Sequence, residues 1–245
     1  MRVLLSPRAA GIPTARAAAE RLAGAGAVVA LPERGVTNLE RRLTPAEVDL
    51  IRRALTSAAP ADPPARPAPG AVVGYVCSGG SVADKGSATS SAGRSGEVMA
   101  LRLVAVGDHA NLTWRSPLWG PDDETLGERF PVTAGIYRPD VALAALDRGW
   151  AGRGGGEATV AEGEDTRPCA EREAAGEVVV GVGAHGGTAD FVRSVMATRG
   201  WTLWSAELVP VALVAAHLGL GMAAVVAVVG TTAFLNDAAE GEEGS

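Results

Sequence analysis

The amino-acid sequence predicts an α/β protein in which a mixed β-sheet core is flanked by helices in a single domain. Short apolar segments typical of strands alternate with segments typical of helices along most of the chain. A length of 245 residues suits one large domain better than two small ones. Hydrophobic residues make up 47% of the chain, which is ample material for a buried core.

In the first half of the chain, residues that favour the first turn of a helix mark where the predicted helices begin. A strand at Val3–Leu5 precedes a helix over about residues 14–23, which begins after Pro13. Thr44 is predicted to cap a second helix, with Glu47 at the capping-box position. Apolar runs predict three more strands, at 28–31, 71–77 and 97–106.

Two segments in this region predict irregular structure near a ligand site. The strand at 71–77 leads into Ser78-Gly79-Gly80-Ser81, which predicts a turn, and α/β sheets place ligands at the turns that follow their strands. The segment 107–131 has little periodicity and contains several Pro, Gly and Trp residues, so it predicts an ordered excursion without regular elements.

The second half of the chain continues the alternation of helices and strands. A helix is predicted at 138–148, and residues 151–176 after it predict a loop. The predicted elements that follow the loop are a strand at 177–183, a helix at 189–199 and a strand at 201–204. The uncharged run Leu208–Asn236 is long enough to span a bilayer. Pro210 and a glycine break at 219–221 interrupt it, and no basic cluster flanks it, so we expect a buried helix at 205–218 and a buried strand at 222–229.

Composition narrows the class of protein. The formal net charge of −6 argues against a nucleic-acid partner, which usually calls for a basic face. The two cysteines, Cys77 and Cys169, have no metal-ligand spacing, so we expect no metal site. The N-terminal apolar run is too short for a signal peptide, and we therefore expect a cytoplasmic protein without a membrane anchor.

The most specific pattern lies in and before the irregular stretch. Gly96-Glu97-Val98 is followed by Asp108-His109-Ala110-Asn111-Leu112 and then by PLWGPDDETLGERFP at 117–131. These motifs and their spacing resemble the trimeric, low-molecular-mass purine nucleoside phosphorylases. The segment 209–220 is similar to a Val-Pro helix of that family, and Cys77-Ser78-Gly79-Gly80 stands where the family has Asn-Ala-Ala-Gly-Gly. The resemblance implies one phosphorylase-like domain over 1–236, followed by an acidic tail at 237–245.

The family resemblance implies a reaction and its partners. Such enzymes cleave the N-glycosidic bond of a nucleoside by attack of phosphate on the anomeric carbon, through an oxocarbenium-like transition state. A nucleoside or purine base would be the ligand, phosphate a possible co-substrate, and no cofactor would be needed. The chain would assemble as a homotrimer, or as a hetero-oligomer with a paralogue.

Carried over residue by residue, the resemblance implies an altered site. Glu207 and His185 are the candidate catalytic residues. The candidate substrate-binding residues are Arg8, Cys77, Ser78, Gly79, Phe130, Gly187 and Ala206. Several family ligands are replaced: the base-binding Glu by Gly187, and the Asn that ends the last strand by Gly230. If Glu207 occupies the place of the family's phosphate-binding serine, its negative charge would repel phosphate.

Two of these residues have more than one interpretation. Glu207 is either a carboxylate stabilised by the helix N-terminus that follows it or a ligand of sugar hydroxyls. Phe130 is either a packing residue or an aromatic side chain that reaches a neighbouring subunit's site, as the resemblance implies. Asp108, His109 and Asn111 are predicted to hold the fold by hydrogen bonds, and His217 is predicted to be a core residue of its helix.

Three functions are compatible with the sequence. The chain could be a nucleoside phosphorylase or hydrolase with a rebuilt site that uses Arg8, Ser78, His185 and Glu207. It could be a catalytically inactive homologue that acts as a structural or regulatory subunit of an active paralogue. A third hypothesis, a racemase-like enzyme, rests on the Val-Cys-Ser-Gly-Gly-Ser sequence at 76–81. It requires a second cysteine near 183–187, where none is present.

Overall fold

The computed structural model describes residues 1–31, 44–56, 67–82, 102–113, 116–119, 124–147, 176–182 and 189–229. Within these ranges strands and helices largely alternate as predicted, but a short helix at Pro7–Ala10 stands where the sequence predicts a loop. The strands are β1 (Val3–Leu5), β2 (Val28–Ala30), β3 (Val72–Ser81), β4 (Arg102–Asn111), β5 (Glu177–Gly181), β6 (Leu203–Ser205) and β7 (Gly221–Val228). The helices are α1 (Pro7–Ala10), α2 (Pro13–Ala23), α3 (Pro45–Thr56), α4 (Pro139–Asp147), α5 (Ala189–Arg199) and α6 (Leu208–His217).

The seven strands form one mixed sheet, which confirms the predicted fold class. β1 pairs in parallel with both β2 and β3, and β3 pairs in parallel with β7. β7 is antiparallel to β4, β4 is parallel to β5, β5 is parallel to β6, and β6 is antiparallel to the end of β3. The pairings from β3 through β7, β4, β5 and β6 therefore return to β3 and close a ring, while β1 and β2 extend the sheet.

The hydrophobic core lies on both faces of β7. Met222, Ala224, Val226 and Val228 belong to one buried cluster, together with side chains of α3 and α6. The alternate residues Ala223, Val225 and Ala227 belong to a second cluster, with side chains of α2 and α4. A strand buried on both faces must be apolar at every position, which explains its continuous apolar sequence. Among the described helices none is both long and apolar enough to cross a membrane.

The capping box of α3 forms as predicted. The backbone N–H of Thr44 donates to the Glu47 carboxylate over 2.6 Å, and the N–H of Glu47 donates to the Thr44 hydroxyl over 3.3 Å. Both groups therefore satisfy backbone donors that the first turn of a helix leaves unpaired.

At the other end of the chain, Gly219 follows α6 with φ of 71°, a conformation that glycine adopts without strain.

β4 differs in position from its prediction. The strand runs from Arg102 to Asn111, so that its second half lies in the stretch predicted to be irregular, and residues 97–101 lie outside the described ranges. From Val106 onwards β4 pairs with β5, with a bulge between Val106 and Asp108. Asp108 and Asn111 are exposed, and such polar, solvent-facing side chains break the apolar pattern by which strands are recognised.

The predicted turn at Ser78–Ser81 is wrong, because β3 continues through these residues. Gly80 and Ser81 pair with Trp204 and Leu203 of β6. A Cβ atom on Gly79 would lie 2.4 Å from the Trp204 carbonyl oxygen, and one on Gly80 would lie 2.5 Å from the Trp204 indole. The two glycines therefore permit the close approach of β6 and do not mark a turn.

We expect Gly79→Ala to lower the free energy of unfolding by about 1–3 kcal/mol or more, because the new methyl group would overlap backbone atoms that cannot easily move. Gly11→Ala is the matched control. Its Cβ atom would lie 3.5 Å from the Arg8 carbonyl oxygen, and its φ of −78° suits alanine, so this variant should gain up to about 1 kcal/mol. Urea unfolding monitored by tryptophan fluorescence measures both. Equal stabilities for the two variants would contradict the tight packing of β6 on Gly79.

Candidate functional site

Three segments that are far apart in the sequence meet at the ends of β1, β3 and β6. Ser6 follows β1, whose Leu5 is paired with Val76 of β3, and the Ser6 N–H donates to the Val76 carbonyl over 2.9 Å. Ser78 lies two residues further along β3. The antiparallel pairing of β3 with β6 brings Glu207, which follows β6, to the same place. Because β1 and β3 are parallel, the residue after β1 lies beside the C-terminal half of β3, the side of a parallel sheet where α/β proteins place their ligands.

The Glu207 carboxylate is the centre of this cluster. Its Oε2 accepts hydrogen bonds from the Ser6 hydroxyl over 2.8 Å, the Ser78 N–H over 3.0 Å and the Ser78 hydroxyl over 2.7 Å. Glu207 and Ser6 are fully buried, and Ser78 is 4% exposed. The other oxygen, Oε1, is buried and has no hydrogen-bond partner among the described residues. We call Ser6, Ser78 and Glu207 the carboxylate cluster.

The negative charge of the cluster is compensated by dipoles. Among the described residues no cationic side chain forms an ion pair with Glu207. The three donors on Oε2 are therefore the groups that directly stabilise the charge of the carboxylate. Glu207 also occupies the N-cap position of α6, where the helix dipole favours an anion, although its side chain does not cap the helix. This position agrees with the interpretation of Glu207 as a carboxylate at a helix N-terminus.

The backbone around Glu207 is fixed by further hydrogen bonds. Its N–H donates to the Ser205 hydroxyl over 3.2 Å, and the Ser205 hydroxyl donates to the Ser78 carbonyl over 2.7 Å. The Tyr75 hydroxyl donates to the Glu207 carbonyl over 3.1 Å. Tyr75 is fully buried in β3, and this burial raises the pKa of its phenol well above the usual value. The tyrosine therefore remains a neutral donor, and the Glu207 main chain is held at both its N–H and its C=O.

Cys77 lies in the core beside the cluster. It is fully buried, and its Sγ is 3.7 Å from the Ser205 hydroxyl. Burial, followed by the negative charge of Glu207, raises the pKa of the Cys77 thiol far above its usual range. The thiol therefore stays protonated at neutral pH, whereas a nucleophilic cysteine acts as the thiolate. This environment disfavours the racemase-like hypothesis.

The remaining sequence-predicted residues lie in different surroundings. Arg8 is exposed on α1, and Gly79 is buried in β3. Ala206 is half-buried and packs on the cluster formed by Val180, Val182, Val192, Met196 and Trp204. Phe130 is 80% exposed, with the Arg129 guanidinium 5.8 Å from its ring centroid. His185 and Gly187 lie outside the described residues, as does Gly230.

The structure places Ser6, rather than Arg8, in the cluster from the loop after β1. Ser6 is the N-cap residue of α1, and its hydroxyl accepts from the Ala9 N–H over 3.2 Å while it donates to Glu207. A serine between an apolar strand and Pro7 is an N-cap signal, and it could have been found in the sequence. The contribution of Tyr75 leaves no such local signal, because its partner lies 132 positions away.

The polar residues of β4 hold local structure, as predicted. The Asp108 carboxylate accepts from the His109 N–H over 2.8 Å, and the Asn111 side chain accepts from the Thr113 N–H over 3.0 Å. His109 Nδ1 lies 2.9 Å from the Tyr137 hydroxyl. Burial lowers the pKa of His109, so the neutral ring is favoured in this contact.

His217 is a core residue of α6, as predicted. It is 1% exposed, its Nδ1 lies 2.9 Å from the Glu128 carbonyl, and its Nε2 lies 3.1 Å from Arg52 Nη2. A carbonyl only accepts and a guanidinium only donates, so the ring carries its proton on Nδ1 and accepts at Nε2. His217 thereby ties α3 and the segment before Phe130 to the end of α6.

Solved structures of Schistosoma purine nucleoside phosphorylases share this architecture. Isoform 2 from Schistosoma mansoni, in complex with cytosine and ribose-1-phosphate, has a TM-score of 0.57 and 15% identity, over 98% of this chain and 79% of that chain. The Schistosoma mansoni enzyme in complex with inosine gives 0.54 and 15%, over 94% and 77%. The Schistosoma enzyme in complex with hypoxanthine gives 0.53 and 16%, over the same shares.

The chain has a nucleoside phosphorylase-like fold. No protein-family model matches the sequence, and no curated protein does. The described residues contain no group of three or more His, Cys, Asp or Glu side chains that could hold a metal ion. At the place where β1, β3 and β6 meet, this fold positions hydroxyl and N–H donors around one carboxylate.

Ser78→Ala should lower the free energy of unfolding by about 1.5–3 kcal/mol, because it removes one of three donors from a buried carboxylate. Ser194→Ala, at an exposed position of α5, is the matched control and should change the stability by less than about 0.5 kcal/mol. Chemical unfolding of both variants measures the difference. A Ser78→Ala variant as stable as the wild type would show that the hydroxyl does not stabilise the Glu207 charge.

Proposed function

We propose that this chain binds a nucleoside or a purine base at the carboxylate cluster and does not catalyse phosphorolysis. It would be a divergent relative of the trimeric purine nucleoside phosphorylases with a rebuilt site. The observation that carries the proposal is the buried Glu207 carboxylate, whose Oε2 has three donors and whose Oε1 has no partner among the described residues.

An unpartnered carboxylate oxygen in the interior calls for a donor. Leaving a buried polar group unsatisfied costs about 1–3 kcal/mol, and more for a charged group. Sugar hydroxyls and the N–H groups of a purine are donors of the required kind. The similar Schistosoma structures were solved in complex with inosine, hypoxanthine, or cytosine and ribose-1-phosphate, which supports a ligand of this class. Glu207 Oε1 is then the expected acceptor.

The same carboxylate disfavours phosphate as a co-substrate. The Ser6 and Ser78 donors are already engaged by Glu207 Oε2, so they are not available to a second anion. Two negative charges about 4 Å apart repel each other by about 4 kcal/mol at an effective dielectric constant of 20. Any cleavage of the glycosidic bond at this site would therefore use water as the acceptor of the sugar.

A turnover and binding screen of the purified protein tests the proposal. Inosine, guanosine, adenosine and uridine are each supplied with and without phosphate, and base release and thermal stability are measured. We expect at least one nucleoside or its base to stabilise the protein, and base release, where it occurs, to be independent of phosphate. Glu207→Gln should weaken the binding at least about tenfold, because the carboxylate accepts hydrogen bonds more strongly than an amide.

Glu20→Gln, an exposed change on α2, removes the same charge away from the cluster and should bind as the wild type does. Robust phosphate-dependent cleavage of inosine would overturn the proposal. So would the absence of any effect of nucleosides or bases on the stability of the wild-type protein.

A second candidate function is that of a structural or regulatory subunit. Three large apolar side chains in the segment 119–132 are exposed: Trp119 at 51%, Phe130 at 80% and Val132 at 73%. Exposed apolar side chains of this size are typical of surfaces that contact another chain. A homotrimer, or a hetero-oligomer with a paralogue, would cover them.

We expect Phe130→Ala to weaken self-association, or association with a co-expressed paralogue, at least about tenfold, because large aromatic side chains dominate interface energies. Sedimentation equilibrium measures the effect. Phe191→Ala, at a side chain 43% exposed on α5, is the control and should not change the mass. A monomeric wild type that binds no paralogue would contradict this candidate.

A further inference from the structure

The segment 128–135 is a mostly exposed loop, and the connection from α6 to β7 fixes both of its ends. After the loop, the Met222 N–H donates to the Ile136 carbonyl over 2.7 Å, and the Arg138 N–H donates to the Met222 carbonyl over 2.9 Å. Before the loop, the contacts are with His217, the last residue of α6. The loop is therefore attached at two points, one on each side of the turn between α6 and β7.

The two attachments differ in kind. The one at Met222 consists of main-chain hydrogen bonds, which form between extended segments with little regard to the side chains. The one at His217 depends on a side chain, because the ring Nδ1 lies 2.9 Å from the Glu128 carbonyl. The ring is 1% exposed, and a Cβ atom on the adjacent Gly127 would overlap the His217 carbonyl. The near end of the loop is thus held by one imidazole and by a close approach that only glycine permits.

Arg52 determines which ring nitrogen holds the loop. Its Nη2 lies 3.1 Å from His217 Nε2. A guanidinium only donates, so Nε2 has to accept, and the single proton of the neutral ring is on Nδ1, directed at the Glu128 carbonyl. In the other tautomer a donor would face a donor and an acceptor would face an acceptor. The helix α3, which carries Arg52, thereby takes part in the attachment of the loop.

We propose that His217 is a positioning residue that attaches the loop 128–135 releasably. Loss of its Nδ1–H contact frees the loop at the α6 end, while the attachment at Met222 and the core remain. The loop carries Phe130 and Val132, which are 80% and 73% exposed. His217 therefore sets where these two apolar side chains lie, although it is itself buried.

Release of the loop differs from unfolding of the protein. Leu126 before the loop and Tyr137 after it are 4% and 5% exposed and belong to the main core cluster. The residues between them bury little apolar surface, so their detachment leaves the core intact and requires less free energy than global unfolding. The His217 attachment is then the main local barrier to this motion.

The inference stands apart from the proposed function. Glu207 precedes α6 and His217 ends it, and a helix of 10 residues is about 15 Å long. Nucleoside binding at Glu207 plays no part in the measurements that follow. Either result therefore leaves the other open to its own test.

Tryptic cleavage after Arg129 measures the release, because a protease cuts only chain that has left the folded body. The wild type, His217→Gln and His217→Asn are treated with trypsin. Mass spectrometry follows cleavage after Arg129 and, as an internal control, after Arg199 at the end of α5. Both substitutions remove the ring, so each is the matched control of the other.

The two amides keep different contacts of the ring. The amide of asparagine reaches the position of Nδ1 and donates there, whereas that of glutamine reaches the position of Nε2 and leaves the Glu128 carbonyl without its donor. We expect cleavage after Arg129 to be at least about tenfold faster in His217→Gln and less than about threefold faster in His217→Asn. Cleavage after Arg199 should keep the wild-type rate in both.

Gly127→Ala provides an independent variant that leaves the imidazole in place. Its methyl group would overlap the His217 carbonyl, so cleavage after Arg129 should again be at least about tenfold faster. Equal acceleration after Arg129 and Arg199 would overturn the inference, since it would indicate global destabilisation. Wild-type rates after Arg129 in both His217→Gln and Gly127→Ala would also overturn it.

The tautomer of His217 gives a second readout, on the wild-type protein. The ring is labelled with ¹⁵N, and its nitrogen signals are identified by their loss in His217→Gln or His217→Asn. We expect Nδ1 to carry the proton at about pH 8, where an imidazole is neutral. A neutral ring protonated on Nε2 would overturn the inference, because no N–H would then face the Glu128 carbonyl.

Discussion

The pairing of β3 with three other strands is the constraint on which the site depends. β1 lies along one part of β3, β7 pairs with most of its length, and β6 joins only at Gly80 and Ser81. The last pairing requires glycine, since the Trp204 carbonyl and indole occupy the space that two side chains would need. Because β6 approaches there, Glu207, two residues beyond the end of β6, lies in the interior beside Ser78 instead of facing solvent.

Burying a carboxylate imposes a cost that the surrounding structure has to offset. An ionised group without compensation is costly in the interior, so buried charges occur where hydrogen bonds or partners meet them. Here the compensation comes from Ser6, Ser78 and the start of α6, which are parts of three different elements. The same charge contributes to raising the pKa of the Cys77 thiol, although burial is the larger cause. The cluster therefore sets the chemistry of its neighbours, and it leaves Cys77 an inert core residue.

The elements with local signals could be predicted from the sequence, and those defined by distant contacts could not. The capping box at Thr44 and the buried α6 and β7 follow from spacing and apolarity, which the chain carries within a few residues. β4 lies further along the chain than its apolar pattern predicts, because Asp108 and Asn111 face solvent, and Ser78–Ser81 continue a strand instead of forming the predicted turn, because the glycines permit close packing. Glu207 and Ser78 were both candidates, but Ser6 was not, and the hydrogen bonds among them were not predicted, since Ser6 is 201 positions from Glu207 and Ser78 is 129. Only strand pairing brings them together.

A shared fold constrains the position of a site more strongly than its reaction. The phosphorylase-like sheet places Ser6 and Ser78 at one edge, and these residues supply hydroxyl and N–H donors whichever anion they meet. Here the donors already have an acceptor, the Glu207 Oε2 atom, which belongs to the chain itself. A second anion beside the Glu207 carboxylate would be repelled, so under the proposed function any cleavage at this site proceeds without phosphate.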